Sequence, residues 1–415
     1  MHAVTGASLA HRSEPSLSLF HLLEPEVLAN PYTLYHRLQD EDPVHWDVFL
    51  HAWVVTRYPD VLHILQRFSA TCALSPEHLT AIGVTDLNPI AQTMIRMLLF
   101  MDPPAHTRLR AQVSQAFTPA RVETLRSHIQ DIADELIESV LPAGRMDVIA
   151  DLADPLPSIV AAELLGLPRS DHRRLKAWSA DFAEVLGNWQ HNPDRAPRML
   201  RTLDEMSEYF RSAIREHRLH PRNELIDALL TAEYEGERLS EESVIANCIL
   251  LMVGGQETTP NLIGNGLLSL CSNPDQLQKL REDLSLIPSA VEELLRYESP
   301  SQHTTRLAPE DTEISGKLIR KRQSVIAVMG AANRDRERFV DPDRLDISRK
   351  DNRHLAFGGG PHYCFGAPLA RIEGQIAFSA IVQRFSNLAL QPGPLTWREN
   401  LGLRGLTSLP VTFRA

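Results

Sequence analysis

From Ser240 to Cys271 the chain is apolar on nearly every face of a helix, and the run stops at Asn273-Pro274. A helix without a polar side cannot rest on a surface and has to be wrapped by other elements. Wrapping one of this length takes a large core, and 415 residues are enough to build it. Its most apolar part, Ile245 to Gly255, falls short of the roughly 20 residues that cross a bilayer. The segment therefore reads as the buried centre of a large helical protein.

Helical periodicity continues around it. Residues 121–140 set Val122, Leu125, Ile129, Ile132, Leu136 and Val140 at spacings of three and four, behind the N-cap pair Thr118-Pro119. Residues 199–218 repeat the pattern with Leu203, Met206, Phe210 and Ile214. Strand signals are fewer: Trp53 to Thr56, a hairpin turning at Ser315-Gly316, Ser324 to Met329, and Leu409 to Phe413. No repeat or linker divides the chain. The expectation is a mainly α protein with a small peripheral β-sheet, one large domain over 1–415, with 1–20 a flexible N-terminal segment.

With 43% hydrophobic and 23% charged residues the chain is not disordered. Its 42 Lys+Arg against 53 Asp+Glu leave a net charge of −11, unsuited to binding nucleic acid. Cys72, Cys248, Cys271 and Cys364 lie far apart with no CxxC pair, which excludes a disulfide scaffold and a zinc ribbon and fits a reducing cytoplasm. The N-terminus has no apolar core of signal-peptide length, and no membrane anchor is visible.

The segment Phe357-Gly-Gly-Gly-Pro-His-Tyr-Cys364-Phe-Gly-Ala-Pro-Leu-Ala-Arg371 carries the chemistry. A lone cysteine is bracketed by Gly358, Gly360 and Gly366, where backbone can approach something flat and large without Cβ atoms in the way. The apolar period resumes at Leu369, Ile372 and Ile376, so a helix begins just after Cys364 and its N-terminus favours a thiolate there. An anionic sulfur in a glycine-lined pocket suits an axial haem ligand, which favours O–O cleavage. The alternative is a structural cysteine beside a glycine-rich turn.

This segment matches every specified position of F-G-x-G-x-H-x-C-x-G-x-x-L-A-R, and in it the chain resembles the cytochrome P450 family. Further motifs follow the family order over ~50–410. The resemblance implies the family fold and haem b, with Cys364 as iron ligand and Phe357, Gly358 and Gly366 beside it. It implies monooxygenation with O2 and two electrons. Gly254-Gly255-Gln256-Glu257-Thr258-Thr259 resembles the segment that crosses the distal haem face. The glycines leave room for O2, Thr258 offers a hydroxyl, and Glu257 relays protons. The plainer reading is a threonine bonded to its i−4 carbonyl and a glutamate paired at the surface. Two departures stand out. Gln256 stands where relatives often carry His. Pro260 removes an N–H from the helix at a cost of ~3 kcal/mol, so a kink or inserted water is expected there. Arg336, where many relatives carry Pro, touches no chemistry.

Glu293 and Arg296 share a helix face at i, i+3, and with Arg344 they resemble the family's structural triad. The resemblance assigns His106, Arg110, Arg306 and His362 to the haem propionates, and cations at i, i+4 suit carboxylates. By the same analogy, substrate contacts come from the Ala73–Leu98 loop, the 180–215 region, Leu250, Val253, Gly254, Ser301-Gln302-His303 and the stretch from Leu403 to Ser408 including Leu406. Such walls are apolar, so the substrate should be a small apolar organic molecule: a polyketide or macrolide, terpenoid, steroid or fatty acid, as in secondary metabolism.

The expected function is hydroxylation or epoxidation by a cytoplasmic, monomeric enzyme. The alternative, a peroxide-driven haem-thiolate peroxygenase, has no need of Glu257 and Thr258. A haem sensor would show no turnover, and a cysteine hydrolase would draw its histidine from elsewhere in the fold than His362. The motifs leave no room for a fused reductase, and no G-x-G-x-x-G follows a strand. Electrons must come from a separate ferredoxin, or failing that a flavodoxin, with its reductase. Arg108, Arg353 and Arg371 are candidates for docking it.

Overall fold

The computed structural model describes residues 17–71, 76, 85–188, 196–222, 224–234 and 237–414. Most of the N-terminal segment expected to be flexible lies outside them. The apolar run forms one helix, Glu241–Ser272, with the Ser240 hydroxyl accepting from the Ser243 N–H at 3.2 Å. Pro155–Leu165, His172–Asn188, Ile287–Tyr297 and Ala367–Arg384 pack around it. That wrapping buries Ile245, Ile249, Met252, Ile263 and Leu267, so the helix needs no polar side.

The 199–218 pattern lies inside the helix Ala196–Leu219. The 121–140 pattern divides into Pro119–Glu123 and Arg126–Val140. Between them Thr124 and Leu125 donate to carbonyls three residues back, Arg121 and Val122, a tighter turn than the α-helix. Thr118 has the extended backbone of an N-cap, but its hydroxyl makes no cap bond.

The main sheet runs Val44–Asp47, Ala52–Val55, Ser324–Ala327, Thr304–Leu307, with the central pair parallel. Thr304–Leu307 has no clear alternation in the sequence, yet it is the strand that turns Arg306 inward, opposite Val325. The hairpin Thr312–Ile314 and Lys317–Ile319 turns where expected, with φ of 47° at Ser315 and 78° at Gly316. The chain end, Pro410–Arg414, pairs between Ser386–Leu390 and Arg145–Asp147.

Behind the cysteine segment, Arg296 grips Glu293 with two bonds of 2.8 Å, and both side chains are fully buried. The third guanidinium is not Arg344. That side chain is exposed and contributes only its carbonyl, 3.4 Å from Arg296. Arg349, five residues on, turns inward and donates to both Glu293 oxygens at 3.1 and 3.2 Å. Asn352 and the Asp346 N–H complete the carboxylate's partners. Arg296 also donates to the carbonyl of Asn333, whose side-chain oxygen accepts from the Leu355 N–H at 2.6 Å. The Leu355 carbonyl accepts from Gly358. The ion pair is thereby joined by hydrogen bonds to the start of the cysteine loop.

Candidate active site

Between the central helix and the cysteine loop lies a cavity of about 340 Å³. Cys364 stands on its floor, two residues before Gly366, the N-cap of Ala367–Arg384. Its N–H donates to the Phe357 carbonyl at 2.9 Å and closes the loop. Cys364 is exposed and lines the cavity. Burial raises its thiol overall, against the downward pull of the Gly366 and Ala367 N–H groups and the Arg110 and Arg371 charges. Cys248 is buried in the core and burial pushes Cys271 up to about 11, and neither lines the cavity.

The glycines of this loop serve different ends. Gly358 and Gly366 line the cavity. Gly360, at φ +63°, faces away from it, where a Cβ would come within 2.7 Å of the Gln66 backbone. Phe357 lines the cavity too, with the Arg371 guanidinium 4.6 Å from its ring centre. Arg371 is bound to Glu292 at 2.6 and 2.9 Å. Although burial pushes the Glu292 carboxyl up, Arg371 and His354 outweigh it and draw it down to about 2.

Opposite, the helix Ala105–Val113 presents His106 and Arg110 one turn apart, and both line the cavity with Arg306 and His362. The His106 and His362 rings lie 4.0 Å apart. Both ring nitrogens of His106, Nε of Arg306 and Nε2 of His362 are buried without a hydrogen-bond partner. Buried donors without acceptors are costly, so the set fits a ligand that brings anionic oxygens, as haem does with its propionates. Burial works against a positive charge on the two histidines. Burial, with the cationic neighbours, holds His106 below its ordinary value and His362 down at about 3. Neutral imidazoles donate hydrogen bonds, and an anion set against them pulls both values back up. Burial lowers Arg306 to about 10, still charged. Arg110 also donates to the Tyr363 carbonyl, tying its helix to the cysteine loop.

The central helix forms the other wall. A Cβ on Gly254 would meet nothing within 4 Å, so this residue leaves open space, whereas one on Gly255 would press on Ala161 at 3.3 Å. Thr258 lines the cavity and donates to the Gly254 carbonyl at 3.1 Å, the back-bond of the plainer reading. Glu257 is not at the surface: it is 3% exposed and held by Lys176 at 2.8 Å and Arg398 at 3.3 Å. The helix runs on through Pro260, and the Gln256 carbonyl accepts from Lys176 at 2.6 Å, where a kink or an inserted water was expected.

Leu250, Val253 and Gly254 line the cavity as expected, together with Ser301 and Leu403. Gln302 and Leu406 do not. The Gln302 amide turns away to the Ser299 carbonyl at 2.6 Å, and Leu406 is 1% exposed in the main core. Part of the Ala73–Leu98 loop lies outside the described residues, and Leu98 lines the cavity. None of the described residues of 180–215 does; Ala161, Leu164 and Leu165 of the preceding helix stand there instead.

Sequence reasoning also missed Glu373. It lines the cavity, bonds to Thr259, and burial pushes its carboxyl up to about 8. The signal was available, because it stands four residues after Leu369 on an apolar stripe. Its raised value makes it a stabiliser while protonated, fully below the unfolded value near 4.5 and lost as pH rises toward 8. Glu373→Gln is expected to flatten that decline, by at least about 1 kcal/mol between pH 5 and 8, measured by thermal unfolding across pH.

The family model for Cytochrome P450 matches residues 84–407. The chain is 39% identical to the Biotin biosynthesis cytochrome P450 of Bacillus subtilis (strain 168), over 94% of this chain and 97% of that one. It is also 39% identical to the Cytochrome P450 monooxygenase PikC of Streptomyces venezuelae, over 94% and 93%. The solved structure of P450BioI in complex with hexadec-9Z-enoic acid ligated acyl carrier protein superposes with a TM-score of 0.87, covering 94% of this chain and 99% of that one at 39% identity. With a loop cysteine on the cavity floor and a gapped helix above it, the chain belongs to the cytochrome P450 family, whose members are monooxygenases that use haem b with an axial cysteine thiolate.

Proposed function

We propose that this enzyme inserts one oxygen atom from O2 into an apolar organic substrate, a long fatty acyl chain first among them, with electrons from a separate ferredoxin and its reductase. One observation carries the reading. The unpartnered atoms of His106, Arg306 and His362 converge on the same cavity as Cys364. In this reading Cys364 holds the haem iron, and His106, Arg110, Arg306 and His362 hold the propionates. When bound, the haem supplies O2 activation and oxygen insertion. The leucines and valine of the walls exclude water and favour an apolar chain. The solved relative bound to a hexadec-9Z-enoic acid carrier supports an acyl substrate.

Glu257 and Thr258 deliver protons. The Thr258 hydroxyl donates to the Gly254 carbonyl and can accept a proton at Oγ1 from the Glu257 side. Glu257 reaches solvent through Lys176, Arg398 and Asp154, each partly exposed. Of the residues considered for docking, Arg371 is committed to Glu292 and Phe357; Arg108 and Arg353 are exposed and are the docking candidates.

The test is turnover of hexadecenoic acid by the haem-loaded protein with ferredoxin, reductase and NAD(P)H. Product that depends on all three supports the reading, and equal turnover on hydrogen peroxide alone overturns it. Thr258→Ala is expected to keep substrate affinity within about twofold while the share of NAD(P)H electrons lost as peroxide rises several-fold.

A further inference from the structure

Pro260 sits inside the central helix and has no N–H for the Gln256 carbonyl four residues back. A buried carbonyl deprived of its donor is costly. Here a donor comes from another helix: Lys176, on His172–Asn188, donates from Nζ to that carbonyl at 2.6 Å. The same ammonium donates to Glu257 Oε1 at 2.8 Å and lies 3.3 Å from Asp154 Oδ1. Of the three hydrogens of the ammonium, two go to the Gln256 carbonyl and Glu257, and Asp154 adds an ion pair. Arg398 closes the cluster from the far side, donating to Glu257, Asp154 and the Leu406 carbonyl.

We propose that Lys176 is a positioning residue: it stands in for the N–H that Pro260 lacks, and so fixes the turn carrying Glu257 and Thr258 from outside the central helix. An uninterrupted helix sets that turn by its own ladder. In this chain the turn follows the packing of the His172–Asn188 helix against the central one. The consequence for coupling rests on the reading of Glu257 and Thr258 as the proton-delivering pair; the clamp itself does not.

The rival account is charge pairing alone, with Lys176 there only to neutralise Glu257. The two separate at Pro260. Alanine there restores an N–H to the Gln256 carbonyl and leaves the charges untouched. The experiment compares holoenzyme carrying Lys176→Met, Pro260→Ala, both together, and Lys176→Arg. It measures amide hydrogen exchange in the segment from Gly254 to Gly264, the share of electrons lost as peroxide, and substrate affinity by the spin-state shift. Lys176→Met is expected to speed exchange in that segment about tenfold and to raise the peroxide share several-fold, with affinity within about twofold. Adding Pro260→Ala is expected to return both to within about twofold of the parent. Pro260→Ala alone should stay near the parent.

Unchanged exchange in Lys176→Met overturns the clamp. So does rescue by Lys176→Arg without rescue by Pro260→Ala, because charge then suffices. If Lys176→Met yields no holoenzyme, the double variant decides: recovery supports the proposal and its absence overturns it. Exchange that responds and is rescued while peroxide never moves, even in Thr258→Ala, upholds the clamp and refutes the proton-delivery reading.

Discussion

Replacing Cys364 by alanine abolishes the red-shifted Soret band of the reduced carbon monoxide complex, and monooxygenase turnover falls below detection. The expectation follows from position. Among the described residues, Cys364 is the cysteine that lines the cavity, and two backbone N–H groups of the following helix face its sulfur. Among the described residues no second thiol can take over, because Cys248 is enclosed in the core and neither it nor Cys271 lines the cavity; Cys72 lies outside the described residues. Cys248→Ala and Cys271→Ala keep the band. Spectra of the reduced carbon monoxide complexes decide the matter, and a band surviving in Cys364→Ala would place the ligand elsewhere.

The second large effect is on folding. Arg296→Met leaves the Glu293 carboxylate fully buried with one guanidinium instead of two, and breaking such a pair costs about 3–5 kcal/mol. It also removes a donor from the Asn333 carbonyl, and Asn333 holds the Leu355 N–H ahead of the cysteine loop. Loss of haem retention should therefore accompany loss of stability. Arg349→Ala removes the Nε–H shared between both oxygens of that carboxylate and should cost about 1–3 kcal/mol. Arg344→Ala, at an exposed side chain, should stay within about 0.5 kcal/mol. Denaturant unfolding of the three variants gives the order; Arg344 outranking Arg349 would restore the assignment made from the motif.

The contrast between these arginines shows where the sequence stops informing. Glu293 and Arg296 are three residues apart on one helix, so helical geometry alone brings them together. Their third partner comes from an irregular segment, and nothing in its spacing says whether Arg344 or Arg349 turns inward. The substrate wall divides in the same way. Leu250, Val253 and Gly254 share a face of a helix visible in the sequence and line the cavity. Gln302 and Leu406 lie in connecting segments, where the neighbouring residues Ser301 and Leu403 took the inward positions.

Local patterns thus settled the central helix, the cysteine loop with its helix start, the His106–Arg110 pair and the hairpin at Ser315-Gly316. Each rests on interactions within a few residues, whose periodicity and turn chemistry are written in order along the chain. The tertiary structure alone decided that burial works against a positive charge on both histidines, and that Glu373 is a buried acid facing Thr259. It also decided that the Gln256 carbonyl, freed by Pro260, is claimed by Lys176 from 80 residues away. Burial and partnership depend on which distant segments pack together, and a charge or an orphaned carbonyl finds its partner only once that packing is complete.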